Sequence, residues 1–231
     1  MGNQSNPSFS SDEIRKLKYI LKTLRTFVRK NQSLVRKLGL ENKFAETIGE
    51  GKGLLLCYER FGNSVSYEWP GRRKRRYDLR LKSEKGSVEI QVKTNTDESY
   101  DFKFSKIKVD NKVKKQLEKG DTEPLFRQLE SEYERKYAEF FLLIHWPKLS
   151  EGPTCYILNK ERLIKALRED YQVNFDKKKH TKKYNYGISK AGEWWPHLNQ
   201  RTVDSLTQFK EKWDPIDKEL GLRRNAQHRL Q

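Results

Sequence analysis

The 231-residue chain reads as an α/β (α+β) protein with a mixed central sheet flanked by helices. Three observations predict this class. Short β-prone segments follow one another at residues 64–69, 76–82 and 87–94. A nearly continuous apolar run, EFFLLIHW at 139–146, has strand length and reads as a strand covered on both faces. Stretches of helical periodicity lie before, between and after these segments. Hydrophobic residues at 34% and aromatics at 12% can fill a core, and the length suits one large domain, or a core with an appended helical unit, better than two independent domains.

Taken in order, residues 1–11 are rich in Ser, Asn and Gly and read as a mobile leader. Ile14, Leu17, Leu21, Leu24 and Val28 then recur at steps of three and four, the stripe of an amphipathic helix with Ser11 as its cap and Asp12 and Glu13 in its first turn. Its other face carries Arg15, Lys16, Lys18, Lys22, Arg25 and Arg29, either solvated or serving as a dimer seam or DNA contact. The stripe falters at Asn31-Gln32-Ser33 and resumes with Leu34, Val35 and Leu38, which predicts a kinked long helix or two helices ending near Gly39. A second helix is expected over 42–60, although Gly49, Gly51 and Gly53 each disfavour it by up to about 1 kcal/mol relative to Ala. Glycines on alternate positions indicate a close backbone approach or a break.

The strands 76–82 and 87–94 are joined by SEKG, a tight turn ending at Gly86. Residues 101–119 are Lys-rich and helical only in part, and Pro124 opens a surface helix to about residue 137. Residues 155–158 form a further strand, after which Asn159 caps a helix with Leu163, Ile164 and Leu167 inward. A basic segment at 177–184, an aromatic patch Trp194-Trp195-Pro196 and a final helix near 203–213 complete the chain, and no internal repeat is visible. The boundaries expected are a basic helical region at 1–41, an α/β core at 42–170 and a basic and aromatic extension at 171–231 packed on that core.

Lys and Arg outnumber Asp and Glu by 49 to 32, a formal charge of +17. That excess indicates a polyanionic partner, most simply nucleic acid, with an anionic membrane as the competitor. No run approaches the roughly 18 apolar residues of a spanning helix, and the polar start lacks the build of a signal peptide, so the expectation is a soluble, intracellular, cytoplasmic protein. Cys57 and Cys155 each lie in an apolar run and read as buried reduced thiols; four His without ligand spacing argue against structural zinc. His145 and His180 have no paired nucleophile and receive no catalytic role.

Chemistry concentrates at 77–95. Val88, Ile90 and Val92 alternate with Glu89, Gln91 and Lys93, giving a strand with one apolar face and one polar row. A hairpin brings the carboxylate of Asp78 near Gln91 and Lys93. An acid, an amide oxygen and a lysine at one sheet edge can hold a hard divalent cation and steady an anionic reaction centre. Arg72, Arg73, Lys74, Arg75 and Arg76 flank this group and can grip phosphates, as can Lys177, Lys178, Lys179, Lys182 and Lys183, which precede Tyr184 and Tyr186. Trp194-Trp195 is either a core or interface patch or a stacking platform for an unpaired base.

Asp78 followed by Gln91-Val92-Lys93 resembles the D…(D/E/Q)xK signature of the PD-(D/E)xK nuclease superfamily, in a variant with glutamine at the middle position and Tyr77 where proline is usual. Gln91 lies thirteen residues and Lys93 fifteen residues after Asp78. The segment AETIGE at 45–50, leading into an apolar stretch and Phe61-Gly62, resembles the glutamate-bearing helix that precedes the first strand in such nucleases. The resemblance covers about residues 42–170, an α-β-β-β-α-β core with the N-terminal helices as an extension. It implies a Mg²⁺-dependent DNA endonuclease, with Mn²⁺ as a possible substitute. Asp78, Gln91 and Glu50 would hold the metal, Glu46 and Glu89 would be further candidates, and Lys93 would serve the attacking water. A rival frame reads Glu89-Ile90-Gln91, with Gln91 in the lysine position. The class implied is a type II restriction enzyme acting on double-stranded DNA as a homodimer. Alternatives are a Holliday-junction resolvase or repair nuclease, or a noncatalytic nucleic-acid-binding protein in which Asp78 and Lys93 form an ordinary cross-strand ion pair.

Overall fold

The computed structural model describes residues 9–69, 76–96, 101–147, 152–178 and 187–222. In chain order the elements begin with three helices, α1 (Ser11–Lys30), α2 (Gln32–Lys37) and α3 (Glu41–Phe61). Three strands follow, β1 (Ser66–Glu68), β2 (Leu79–Lys82) and β3 (Ser87–Asn95), then two-residue strands β4 (Phe102–Lys103) and β5 (Ile107–Lys108). Helices α4 (Asn111–Glu118) and α5 (Glu123–Lys136) lead to β6 (Phe140–His145), β7 (Thr154–Asn159) and α6 (Lys160–Lys178). The chain continues through β8 (Glu193–Trp194), β9 (His197–Leu198), α7 (Gln200–Ser205) and α8 (Asp214–Glu219).

Five strands form one mixed sheet in the order β1-β2-β3-β6-β7. β3 and β6 run parallel, joined by the crossover that holds α4 and α5, and every other neighbour pair is antiparallel. β6 is buried at all six positions, as its unbroken apolar sequence requires: Phe140, Leu142 and Ile144 face one core and Phe141 and Leu143 the other. The first core packs Leu54, Cys57 and Phe61 of α3, together with Ile216 of α8, on Val88, Ile90 and Val92 of β3. The second packs α4, α5, α6 and α7 on the opposite face, with Phe126, Leu129, Tyr133, Leu163 and Leu167 at its centre. Cys57 and Cys155 are buried free thiols.

Several local expectations are corrected. The cap of α1 is Ser10 rather than Ser11; its hydroxyl accepts from the Glu13 amide at 3.2 Å while the Glu13 carboxylate accepts from the Ser10 amide at 2.8 Å, a reciprocal capping box. The helix does break at Asn31, giving α1 and α2. Arg25 does not belong to the solvated basic face: it is buried, drawn inward by Trp146. Helix α6 is capped by Asn159, whose side chain accepts from the Arg162 amide at 2.9 Å, but it runs to Lys178, so the expected boundary at 170/171 falls within a helix. The single helix expected near 203–213 is instead α7, a 3₁₀ turn and α8, separated where Lys210 bridges Tyr156 and Glu211 takes a positive φ of 52°. Strands β4, β5, β8 and β9 were not foreseen; they pair β4 with β9 and β5 with β8. The aromatic pair divides between roles, with Trp194 buried in the core and Trp195 exposed.

The turn between β2 and β3 is closed by Ser83, whose amide donates to the Gly86 carbonyl at 2.9 Å. Helix α8 covers this turn. The Ser83 hydroxyl donates to the Leu220 carbonyl at 2.6 Å, and the Glu219 carbonyl lies where any side chain at Gly86 would begin. The Arg60 guanidinium meets Asp217 at 2.5 Å and the Phe61 and Trp213 rings meet edge to face, fixing α8 to α3 as well.

Candidate active site

Helix α3 approaches β3 closely because it offers no side chain at two contact points. A Cβ on Gly53 would stand 2.8 Å from the Val92 Cγ2 methyl, and one on Gly49 would collide with the Thr94 hydroxyl. On the other side of α3, a Cβ at Gly51 would stand 2.8 Å from Leu21 of α1. The alternate glycines therefore mark close approach, not a break. They lay the first half of α3, which carries Glu46 and Glu50, against the C-terminal half of β3.

Asp78 immediately precedes β2, and the register Leu79↔Ile90 places it opposite Gln91. Its amide donates to the Ile90 carbonyl at 3.0 Å and its Oδ2 accepts from the Val92 amide at 2.8 Å, so both its backbone and its side chain are anchored on β3. Glu50 is half-buried and its Oε2 accepts from Trp69 Nε1 at 2.8 Å, whereas Glu46 is exposed. Both helix glutamates lie close enough to act on this region: Glu46 bears on Asp78, and Asp78 and Glu46 bear on Glu50. Trp69, at the end of the first β-prone segment, had not been singled out, and an indole donor to a carboxylate nineteen residues away leaves no local sequence signal.

Burial pushes the Asp78 carboxyl above its ordinary range, while the Val92 amide and Lys93 pull it back and Glu46 adds to the rise. Burial likewise pushes Glu50 up; Trp69 and Lys93 oppose this, and Asp78 and Glu46 reinforce it. Glu46, Glu50, Asp78 and Lys93 therefore share one electrostatic neighbourhood. No ion pair within 4.0 Å joins Asp78 to Lys93 among the described residues. Gln91, on the same face as Lys93, keeps its side-chain oxygen buried and, among the described residues, without a hydrogen-bond partner.

Glu89 is settled differently. Arg80 and Arg76 each donate to it at 2.5 Å, on separate carboxylate oxygens. Burial alone would raise this carboxyl, but the hydrogen bonds from the two arginines outweigh it and hold Glu89 below the usual range. Its oxygens are engaged by guanidinium groups rather than offered to a cation. Of the basic clusters, Arg76 is placed by its pair with Glu89. Arg72, Arg73, Lys74 and Arg75 lie outside the described residues, as do Lys179, Lys182 and Lys183 and the side chains of Lys177 and Lys178.

Among the described residues, no group of three or more His, Cys, Asp or Glu is spaced to hold a metal ion. Magnesium does not require one, since it keeps several waters and is commonly bound through one or two carboxylates and substrate phosphates. The candidate donors are Asp78 and the half-buried Glu50, whose carboxyls burial raises and Lys93 partly relieves, and the buried Gln91 side-chain oxygen opposite Asp78 in the register of the two strands. Compared with family models, with curated proteins and with solved structures, the chain matches none. Among the described residues, no helix is long and apolar enough to cross a membrane.

Proposed function

We propose that this protein is a Mg²⁺-dependent endonuclease of the PD-(D/E)xK type that hydrolyses phosphodiester bonds in double-stranded DNA, acting as a restriction-type homodimer. The observation that carries this reading is the anchoring of Asp78 on β3 beside Lys93 and a buried, unpartnered Gln91 oxygen, with Glu50 delivered by a helix that glycines allow to lie on the strand. With the two-residue strands β4 and β5 set aside and α4 and α5 counted as one helical crossover, the chain order from α3 to β6 follows the α-β-β-β-α-β pattern; this and the charge of +17 support the reading.

In this reading Asp78, Glu50 and the Gln91 amide oxygen would hold a divalent ion, which when bound would supply Lewis acidity toward a phosphate and lower the pKa of a water. Lys93 orients the attacking water and offsets negative charge that builds on the phosphorus oxygens. Trp69 fixes the rotamer of Glu50, and the Val92 amide fixes that of Asp78. Glu89 serves as a brace between Arg76 and Arg80, which favours the Gln91-Lys93 frame over its rival. Incubation of plasmid with the protein and Mg²⁺ tests the reading: discrete fragments are expected, and cutting confined to branched DNA would point instead to a junction resolvase. Among the described residues no three His, Cys, Asp or Glu are arranged to hold a metal ion, and this supports a second reading, a nucleic-acid-binding protein without catalysis. Binding without cutting in Mg²⁺ or Mn²⁺ would establish that one.

A further inference from the structure

Away from the acidic edge, two cations converge on one indole. Arg25 of α1 is only 7% exposed, and its guanidinium carbon lies 3.8 Å from the centre of the Trp146 ring. Lys52 of α3, half-buried, places its Nζ 5.5 Å from the centre of the same ring. Trp146 follows the last residue of β6, and its amide donates to the Asn95 carbonyl at the end of β3 at 2.9 Å. The group thus stands one strand over and a few residues beyond Lys93, on the order of 10 Å away by strand geometry.

One arm of the Arg25 guanidinium is accounted for, because Nη2 donates to the Trp146 carbonyl. The other arm, Nη1, is buried and has no hydrogen-bond partner among the described residues. Among the described residues, no carboxylate lies within 4.0 Å of either cation, and the acid that most influences Lys52, Glu59, is held by Lys18 at 2.8 Å. Burial lowers the Arg25 pKa to about 10, with Arg29 adding to the fall, and burial lowers that of Lys52 as well. A buried guanidinium with a donor left over, near a second, half-buried cation and without a counter-charge among the described residues, has the composition of an anion site in which an oxyanion supplies the missing acceptor. Cation–π contact with Trp146 positions each of the two cations against the same ring. A purely structural arginine, tying α1 to β6, would use Nη2 as observed but would leave the Nη1 donor and the convergence of Lys52 without a reason.

We propose that Arg25 and Lys52, gathered on Trp146, form a phosphate-binding pocket separate from the Asp78 site. The ligand is a phosphate group, supplied by a nucleic-acid backbone beyond the reacting bond or by free phosphate. The pocket does not depend on the cleavage reading, because its occupancy is measured without divalent metal and without cutting.

The test uses the full chain in EDTA, titrated with inorganic phosphate against chloride at matched ionic strength and followed by calorimetry and by thermal shift. Saturable phosphate binding is expected in the wild type. Lys52→Gln, at a half-exposed position that tolerates the change, should weaken it at least about 5-fold. Arg25→Lys, which keeps the charge but loses the planar fork, should weaken it as well. Circular dichroism confirms that each variant is folded. A short duplex separates the two sources. If backbone phosphate is the ligand, Lys52→Gln reduces the slope of log K against log salt by about 1; an unchanged slope with weakened inorganic phosphate binding assigns the pocket to free phosphate. No saturable phosphate binding by the wild type, or wild-type affinity in folded Lys52→Gln, overturns the proposal.

Discussion

Nearer its turn, the β2–β3 hairpin holds Glu89 between Arg76 and Arg80, each at 2.5 Å, and the carboxyl sits below its ordinary range. Toward the open end, the carboxyls of Asp78 and of Glu50 on α3 sit above theirs, and the buried Gln91 side-chain oxygen has no hydrogen-bond partner among the described residues. The same two strands carry both arrangements. The first is electrostatically complete and contributes to stability. The second is incomplete, and its shortfall is of the kind a divalent cation and an anionic substrate remove together. Composition alone would have treated Glu89, Gln91 and Lys93 as one polar row; their partners separate them into a brace and a site.

The largest effect that sharpens this contrast is expected from Asp78→Asn, which keeps an oxygen for the Val92 amide but loses the charge. Plasmid cutting in Mg²⁺ should fall by about 10²–10³-fold, the scale for losing one electrostatic contributor to a transition state, while duplex binding in a gel shift stays close to wild type. Undiminished cutting would erase the distinction between the two ends. Gly53→Ala comes next, since its new methyl would stand 2.8 Å from Val92. Overpacking of about 1–3 kcal/mol, offset in part by roughly 1 kcal/mol of helix propensity, should lower the urea midpoint, and lifting α3 from β3 should slow cutting through Glu50. Glu89→Gln probes the brace: about 1–2 kcal/mol of stability should be lost with its charge-assisted hydrogen bonds, whereas cutting stays within a few-fold of wild type. Loss of cutting with stability intact would instead favour the Glu89-Gln91 frame.

The smallest effect concerns Glu50→Gln, which preserves an acceptor for Trp69. The Glu50 carboxyl is raised in the folded protein above its ordinary 4.5, so its favourable contribution is complete below that pH and is lost as pH rises through the raised value. At pH 7 in EDTA the variant should melt slightly above wild type, and the difference should vanish below pH 4.5. Added Mg²⁺ should stabilise the wild type more than the variant. A variant that melts below wild type at pH 7 in EDTA would show that the Glu50 charge is already compensated.

Much of this was legible in the sequence where local pattern and tertiary environment agree. The alternation of Val88, Ile90 and Val92 fixed the apolar face of β3, SEKG fixed the turn, and the hairpin then brought Asp78 to Gln91. The three glycines of α3 left close approach and a helix break as alternatives, and the structure decides for close approach, with Gly49 and Gly53 meeting β3 while Gly51 meets α1. What could not be read depends on distant partners. Arg25 occupies a helical position that suits a solvated face as well as any, and is buried because Trp146 lies 121 residues further along. Strands β4, β5, β8 and β9 are two residues each, too short for a periodic signal, and exist only because their partners come from the far end of the chain. Glu89 looked equivalent to Gln91 until Arg76 and Arg80 were placed around it.

The seat of α8 on the β2–β3 turn has a consequence for the order in which the protein matures during synthesis. The hairpin is complete in sequence at Asn95, but the carbonyl that receives the Ser83 hydroxyl belongs to Leu220. At ribosomal rates of roughly 5–20 residues per second, those 125 residues take on the order of 6–25 s. Throughout that interval the nascent chain carries Asp78, Gln91 and Lys93 on strands whose turn lacks its cover, and β3 also waits for its parallel neighbour β6. The final geometry of the hairpin is therefore a late event on the ribosome, set by chain made long after the hairpin itself.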